Sequence, residues 1–557
     1  MHLEQQSRNQ KGRHALPVWN ISLFGDNTTP NKESVMKAFM DRYQTEVKGA
    51  LSGWDRLAFR GTLRWLATPA GLSSFLSSQG ILLKHFKHWA EAMTNRVRRG
   101  CEEVAQQLGI HTEYLRSCRT DKEAFARGIA EARGIQEGPI CMLSVVEPTH
   151  SVTVQPNRAT KRLEVVSRQR QCVRVYFYFN DPEVGFGHVR LESWIPFTIK
   201  GCLNGRLWLE RSLMREGIGY VKQDNCFRAV QDVPRAQALA HAQLRTDWPG
   251  LLNRLTDTYF PVMRSLLGDQ PMHYYWSADE TEWATDVMFR NTATLDRLFP
   301  MLARHGLIVS DSPSVMRYLG KISQNAALPA KISGDVRGDR RKRHEGICVK
   351  HRAGRNSVKA YNKAGNVLRV ETTINDTRAF KVFRQANDDT RRAASWLPMR
   401  KGVADLQRRA HISHASNARY LHMLAACPTD ATFLEVVGAV CRPVCKQDRR
   451  VRALNPSAEA DLNLLRFLTQ GQLAVAGLRN RGLAVWLDPR AEELPPEERR
   501  RLAARVSRLL FILKTHGLIR KVPKTHRYLV TPKGLRVAAL VISTSTVQAE
   551  ELMRKAA

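Results

Sequence analysis

The sequence predicts an α+β protein of several domains, with helical and β-rich blocks followed by a C-terminal unit of helices and one hairpin. Three observations predict it. The chain has 557 residues, several times the roughly 100–200 of one domain. Its 43% hydrophobic and 25% charged content is enough for real cores. Its apolar spacing changes along the chain, from the period of a helix to the two-residue alternation of a strand and back.

Charge narrows the partners. Lys+Arg 87 against Asp+Glu 52 leaves +35 at pH 7, a field that attracts DNA, RNA or an anionic membrane. No apolar run approaches the ~18 residues of a spanning helix, so no membrane partner is expected. The opening MHLEQQSRNQKGRHALPVWN lacks the apolar core of a secretory signal. Ten cysteines at unpaired spacings suit a reducing compartment, so a cytoplasmic protein with a nucleic-acid partner is expected, DNA ahead of RNA. Cys441 and Cys445 are the one close pair; with His411 and His414 they would make a zinc set, and otherwise they are two structural thiols.

Residues 1–33 are polar and basic and read as a mobile tail. An α+β domain is expected over 34–250. It opens with a helix from Ser34 to about Val47, and then GALSGWDRLAFRGTLRWLA alternates apolar with charged residues. Asp55, held beside arginines, fits either a metal ligand or an ion-pair network. Residues 70–133 read as helices, and Pro139 to about 204 as strands. In GHVRLES, His188, Arg190 and Glu192 alternate onto one face, which could hold a phosphate or a metal or could simply be solvated. Helical text resumes at Arg206 and runs to about Leu266.

A central domain over 251–395 follows. Ser277 and Glu280 stand as S-x-x-E, which predicts a helix starting near Ala278 with Glu282 and Asp286 on one face. Residues 291–320 predict a helix pair. After the basic run Arg337–His344, the stretch EGICVKHRAGRNSVKAYNKAGNVLRVETTIN predicts three strands, with Ala364-Gly365-Asn366 connecting the last two. If Lys363 faces Val367, then Tyr361 lies opposite Arg369 and Lys359 opposite Glu371. Residues 396–457 form a basic helical connector in which Arg408 and Arg409 are placed for phosphate contact. The aromatics in RVYFYFND and HYYWSADETEW, if exposed, would stack on single-stranded nucleic acid. There is no Walker loop, G-x-S-x-G, H-E-x-x-H, dinucleotide fingerprint or solenoid repeat.

The last unit, 458–557, holds helical stretches Ala458–Leu468 and Ala476–Leu487, then a third from Glu497. In that third helix Leu502, Val506, Leu509, Leu510 and Leu513 form one stripe and Arg501, Arg505 and Arg508 the opposite side. Gly517 stops it, and runs 518–522 and 527–531 make a hairpin carrying Lys521, Lys524, His526 and Arg527. This order resembles a winged-helix domain, which implies a helix in the major groove with phosphates held by the flanking cations. The segment 357–374, a Y-x-K turn R-x-E hairpin, resembles part of the replication initiators of plasmids and filamentous phages. The H-x-H pair usual in those proteins is absent here. That likeness implies Tyr361 as nucleophile, Glu371 as metal ligand, and Lys359 and Arg369 steadying a phosphate. The chain as a whole resembles a family of long bacterial proteins.

Three functions stay open from the sequence. The first is a DNA-binding protein of a mobile-element or replication system. The second is a nuclease, nicking initiator or recombinase using magnesium or manganese, its site drawn from Asp55, Glu192, Glu282, Asp286, Tyr361 and Glu371. The third is an RNA-binding component of a ribonucleoprotein.

Overall fold

The computed structural model describes residues 32–546 apart from 269, 271, 321–335, 344–345, 386–392, 428–432, 447–448, 471–472, 474–476 and 524. The basic tail expected over 1–33 and Lys524 therefore lie outside the described residues, all but the tail's last two positions.

The alternating text after residue 46 forms one strand of 16 residues, β1 (Val47–Thr62). It begins a sheet that takes in β2 (His111–Tyr114), β3 (Gly138–Asn157), β4 (Arg162–Asp181), β5 (Gly185–Glu192) and β6 (Ile199–Asn204). A separate hairpin follows, β7 (Tyr220–Gln223) and β8 (Cys226–Val230). The sheet then resumes with β9 (Tyr275–Phe289), β10 (Val336–Arg343), β11 (Gly346–Ala353), β12 (Asn356–Lys363) and β13 (Val367–Ile374). Its eleven strands run in the order β10-β11-β12-β13-β9-β1-β6-β5-β4-β3-β2, so the blocks 34–250 and 251–395 build one sheet. Every pairing is antiparallel except β2 with β3.

The helix expected near Ala278 is a strand. From Thr281 to Phe289 the odd positions are Thr, Trp, Thr, Val and Phe, a period-two row of β-formers that pairs with β1 on one side and β13 on the other. Ser277 caps nothing; its hydroxyl donates to the Arg60 carbonyl across the ladder at 3.3 Å. Glu282 and Asp286 still share a face, because four is a multiple of two as well as close to a helical turn.

The two halves repeat one plan. β1 and β9 lie side by side at the centre, with Trp54 paired to Trp283. Each is followed by helices, then by a four-strand meander (β3–β6 or β10–β13) whose last strand returns to pair with it. The sequence carries a faint echo: Asp55 precedes Phe59-Arg60-Gly61-Thr62, and Asp286 precedes Phe289-Arg290-Asn291-Thr292. One sheet face is covered by helices throughout. Pro69–Ser78, Phe86–Gln107 and Trp248–Tyr259 pack on Trp54, Leu57 and Phe59. Thr292–Ile308, Ser312–Tyr318 and Leu406–Leu424 pack on Val287, Leu368 and Val370.

The other face is covered at two places. Helices Gly205–Arg215 and Val233–Ala242 with the β7–β8 hairpin sit over Leu51, Met288 and Val367. Helix Lys122–Ala132 sits over Leu143, Val145, Tyr176 and Tyr178. Between these covers the sheet floor is a trough of part-exposed charge: Arg56 with Glu280, and Arg60 and Lys200 with Asp279.

The C-terminal unit has its own core, in which Leu464, Leu468, Val506, Leu510, Leu513 and Val530 meet. Its elements are helix Glu459–Leu468, strand Leu478–Arg479, helices Asn480–Leu487 and Pro496–Thr515, strands Ile519–Lys521 and Arg527–Val530, and helix Pro532–Ser545. Arg527–Val530 is the middle strand of the three. No described helix is long and apolar enough to cross a membrane.

Candidate metal centre

Three neighbouring strands bring carboxylates together: Asp55 from β1, Glu282 from β9 and Glu371 from β13. One oxygen of each lies within 4.8 Å of the others. The β1–β9 register shifts between Trp54 and Leu57, and such a bulge re-aims side chains that strict alternation would separate. Asp55 turns in while Arg56 beside it stays 56% exposed.

Two asparagines fix Asp55. The Asn204 carbonyl oxygen accepts from the Arg206 and Leu207 amides, starting helix Gly205–Arg215, while its Nδ2 donates to Asp55 Oδ1 at 2.8 Å. Gly205 is required there, since a Cβ would lie 2.5 Å from Trp54. Asn225, in the β7–β8 turn, donates its Nδ2 to both Asp55 oxygens, at 2.7 and 2.9 Å.

Arg369 joins these groups from below. Its Nε and one terminal nitrogen donate to the two oxygens of Asp286 at 2.6 and 2.8 Å, and the other donates to Asp55 at 2.8 Å. Arg206 stands 3.3 Å from Asp286. Burial works to raise the Asp55 carboxyl, but Arg369, Arg206 and the two amides outweigh it and hold it below the usual carboxylate range. Burial works against the Arg369 charge, and Asp286 and Asp55 outweigh that in turn.

On the far side of Glu371, Lys359 Nζ lies 2.7 Å from Oε1, and the Tyr361 hydroxyl donates to Oε2 at 3.1 Å. Asp55, Asp286 and Glu371 thus face Arg369, Arg206 and Lys359, while Glu282, the fourth carboxylate, forms no ion pair among the described residues and feels Lys359 and Arg56 only at longer range. Burial and then the adjacent Glu371 push its carboxyl up to about 9, with Lys359 opposing.

A divalent cation fits this set. The donors are hard oxygens, as magnesium and manganese prefer, and the proton on Glu282 stands where a second positive charge would otherwise go. Glu282 is the least buried of the three, so the approach is from its side, along the trough past Arg56 and Glu280. Metal binding should expel that proton. Apparent manganese affinity is expected to rise about tenfold per pH unit from about pH 6 and level off near 9, with about one proton released per metal at pH 7. Titration calorimetry in two buffers of different ionisation enthalpy reads both, and a pH-independent affinity would remove Glu282 from the ligand set.

The expected pairing of Tyr361 with Arg369 and Lys359 with Glu371 is the observed register. The roles shift, however. Arg369 is fully buried among Asp286, Asp55 and the Asn225 carbonyl, so it steadies carboxylates and touches no phosphate. Tyr361 is 6% exposed, and burial followed by Glu371 raises its hydroxyl well above 10, which suits a group that orients Glu371 better than a nucleophile. Arg409 is buried too, donating to the Ala278 and Lys401 carbonyls at 2.9 and 3.2 Å; it ties a helix to β9 and is unavailable to nucleic acid. Arg408 lies over Trp396.

The His188, Arg190 and Glu192 face is not solvated. Glu192 is buried and pairs with Arg174 at 3.1 Å, His188 and Arg190 are half-buried beside Tyr176, and burial, then Arg190, lowers His188 to about 3. Tyr176, Phe177, Tyr178, Phe179, Trp276 and Trp283 are core and Tyr274 and Tyr275 are half-buried, so the stacking surface expected for single strands is largely missing among these rings. Cys441 and Cys445 are exposed, and among the described residues they gather no metal set. Arg501, Arg505, Arg508, Lys521 and His526 are exposed and Arg527 partly so. Asn204, Asn225 and Arg206 went unread in the sequence; the Asn-Gly start of a helix at 204–205 was the available signal, and nothing local marked Asn225. Compared with protein-family models, with curated proteins and with solved structures, the chain matches none of them.

Proposed function

We propose that the protein binds duplex DNA and breaks or transfers a phosphodiester bond at a divalent metal held by Asp55, Glu282 and Glu371. The observation that carries this reading is the three-strand carboxylate cluster, within which burial and the adjacent Glu371 push Glu282 up to about 9. A site under structural selection alone would gain by replacing that member with an apolar or neutral residue.

The metal, when bound, polarises a phosphoryl oxygen and acidifies a water. Asp55 and Glu371 supply charge to hold it, and Glu282 does so on losing its proton. Lys359, partly exposed beside Glu371, offers an ammonium to the phosphate that enters from the trough. Tyr361 orients Glu371, and Arg369 with Asn204 and Asn225 orients Asp55. In hydrolysis a bond forms from the water oxygen to phosphorus and the bond from phosphorus to the leaving sugar oxygen breaks, the water giving up a proton to solvent and the leaving oxygen taking one from it.

The C-terminal unit supplies the grip in this reading. Its order of elements resembles that of a winged helix, and Arg501, Arg505 and Arg508 lie on the exposed side of the helix that would enter the major groove. Lys521, His526 and Arg527 flank it for phosphate contact. A protein that both grips duplex and opens a strand fits a mobile-element or replication system.

The test is direct. Supercoiled circular DNA incubated at pH 8 with the full chain and manganese or magnesium should yield nicked or linear product, and none in chelator. DNA that is bound yet stays intact across both metals would sink the cleavage reading and leave a DNA-binding protein.

A further inference from the structure

The β3–β4 hairpin is far longer than its place in the sheet needs. β2 pairs only with Cys141–Ser144 of β3, and β5 only with Arg174–Asp181 of β4. Beyond those rows the two strands pair with each other alone, from Val146↔Val173 out to Asn157↔Arg162. At about 3.4 Å per residue, this two-stranded stretch is some 40 Å long.

The ribbon is braced rather than loose. Val152, Val154 and Val165 pack on the main core, the Ser151 hydroxyl donates to the Ile195 carbonyl at 2.8 Å, and the Arg170 guanidinium lies 3.4 Å over the Trp194 ring. Its tip is pre-ordered as well. Asn157 Oδ1 accepts from the Ala159 and Thr160 amides, and Glu164 accepts from Asn157 Nδ2 at 2.8 Å and from the Thr160 hydroxyl at 3.1 Å. Glu164, the acidic residue of the tip, is thereby occupied in holding the turn.

What the tip presents is positive. Arg158, Lys161, Arg162 and Arg168 are exposed, and none makes an ion pair or side-chain hydrogen bond among the described residues. Some exposed arginines elsewhere are matched, as Arg127 is by Glu123 and Arg235 by Glu216, and no such partner stands at the ribbon tip among the described residues. A rigid two-stranded ribbon has the width that a B-form major groove admits, and unpaired cations along it are placed to replace condensed counterions.

We propose that the β3–β4 ribbon is a second duplex-binding arm, which enters the major groove of DNA and contacts phosphates through Arg158, Lys161, Arg162 and Arg168. It rests on the reading of DNA as the partner, but not on cleavage. The arm leaves the sheet through β4 and β3, which lie three and four strands beyond β1 on the side away from Glu371, so it anchors duplex well away from the carboxylates.

The experiment replaces all four cations by alanine in the full chain and measures binding to a duplex of about 40 base pairs at several salt concentrations. A control replaces Lys84, Lys87, Arg98 and Arg99, exposed and equal in charge, outside the ribbon. Each lost phosphate contact removes about 0.9 from the slope of log affinity against log salt. The ribbon variant should lose about 3.6 from that slope and bind at least tenfold more weakly at 150 mM salt, while the control changes little. Equal losses in ribbon and control variants, or an unchanged slope in the ribbon variant, would overturn the arm. Thermal melting and far-ultraviolet circular dichroism, unchanged in both variants, certify the fold and keep this outcome separate from the fate of the metal reading.

Discussion

Glu282→Gln is expected to lower metal-dependent cleavage by about 10²–10³-fold while leaving the metal-free protein as stable as before or more so. The two halves of that result come from one fact. In the metal-free protein Glu282 already carries a proton at neutral pH, because burial and Glu371 push its carboxyl up to about 9. Glutamine copies the neutral shape and removes the ligand charge, so the metal is lost and the repulsion goes with it. The folded protein keeps this proton to about pH 9, whereas the unfolded chain releases it near 4.5. The parent therefore loses stability as pH rises from about 4.5 towards 9, and the variant does not. Thermal melts of both proteins at pH 6 and pH 8.5 check the sign: the variant should gain on the parent at the higher pH. A variant that is less stable at both, with cleavage intact, would make Glu282 an ordinary structural acid.

Arg369→Met should lower the unfolding free energy by about 3–5 kcal/mol, the usual cost of removing one partner from a buried ion pair. Arg369 and Asp286 are both fully buried, and Asp55 depends on the same guanidinium. Methionine fills comparable volume, so the loss is that of charge and of the donor fork rather than of packing. Arg369→Lys is expected to recover only part of it, because an ammonium cannot bond both oxygens of Asp286 and reach Asp55 as well. A urea melt followed by the fluorescence of Trp54 and Trp283, which meet edge to face at 5.0 Å beside the network, reports on this region. A change below about 1 kcal/mol would mean that the two aspartates carry protons instead of charge.

Much of the site was legible where pairing is local. The turn at 364–366 fixed the register of β12 against β13, and with it the partners of Tyr361 and Glu371, because a hairpin sets register by its own loop. Ala364 and Gly365 both sit at positive φ there, as a tight turn demands. Asp55 drew notice as an acid among arginines. What stayed hidden was convergence. Glu282 was read on a helix, since S-x-x-E at 277–280 carries the same letters whether or not a helix follows. The alternation after Thr281 was the better guide, and it points to a strand only once neighbours on both sides are known. Arg409 shows the same limit from the other side: its row of basic residues looks solvated in sequence, and only tertiary packing buries one of them.

The centre of the sheet also sets the order in which this protein can come to life. Asp55 and Arg369 meet across 314 positions of chain, and the carboxylates come one from the first half and two from the second. A nascent chain that has released only its first half has a seam with nothing to close on and one lone acid to offer an ion. On the proposed reading, metal capture would wait until β13 has left the ribosome and zipped onto β9, because Glu371 arrives with that strand. On the same reading, strand breakage would be withheld from any chain whose synthesis has not reached β13.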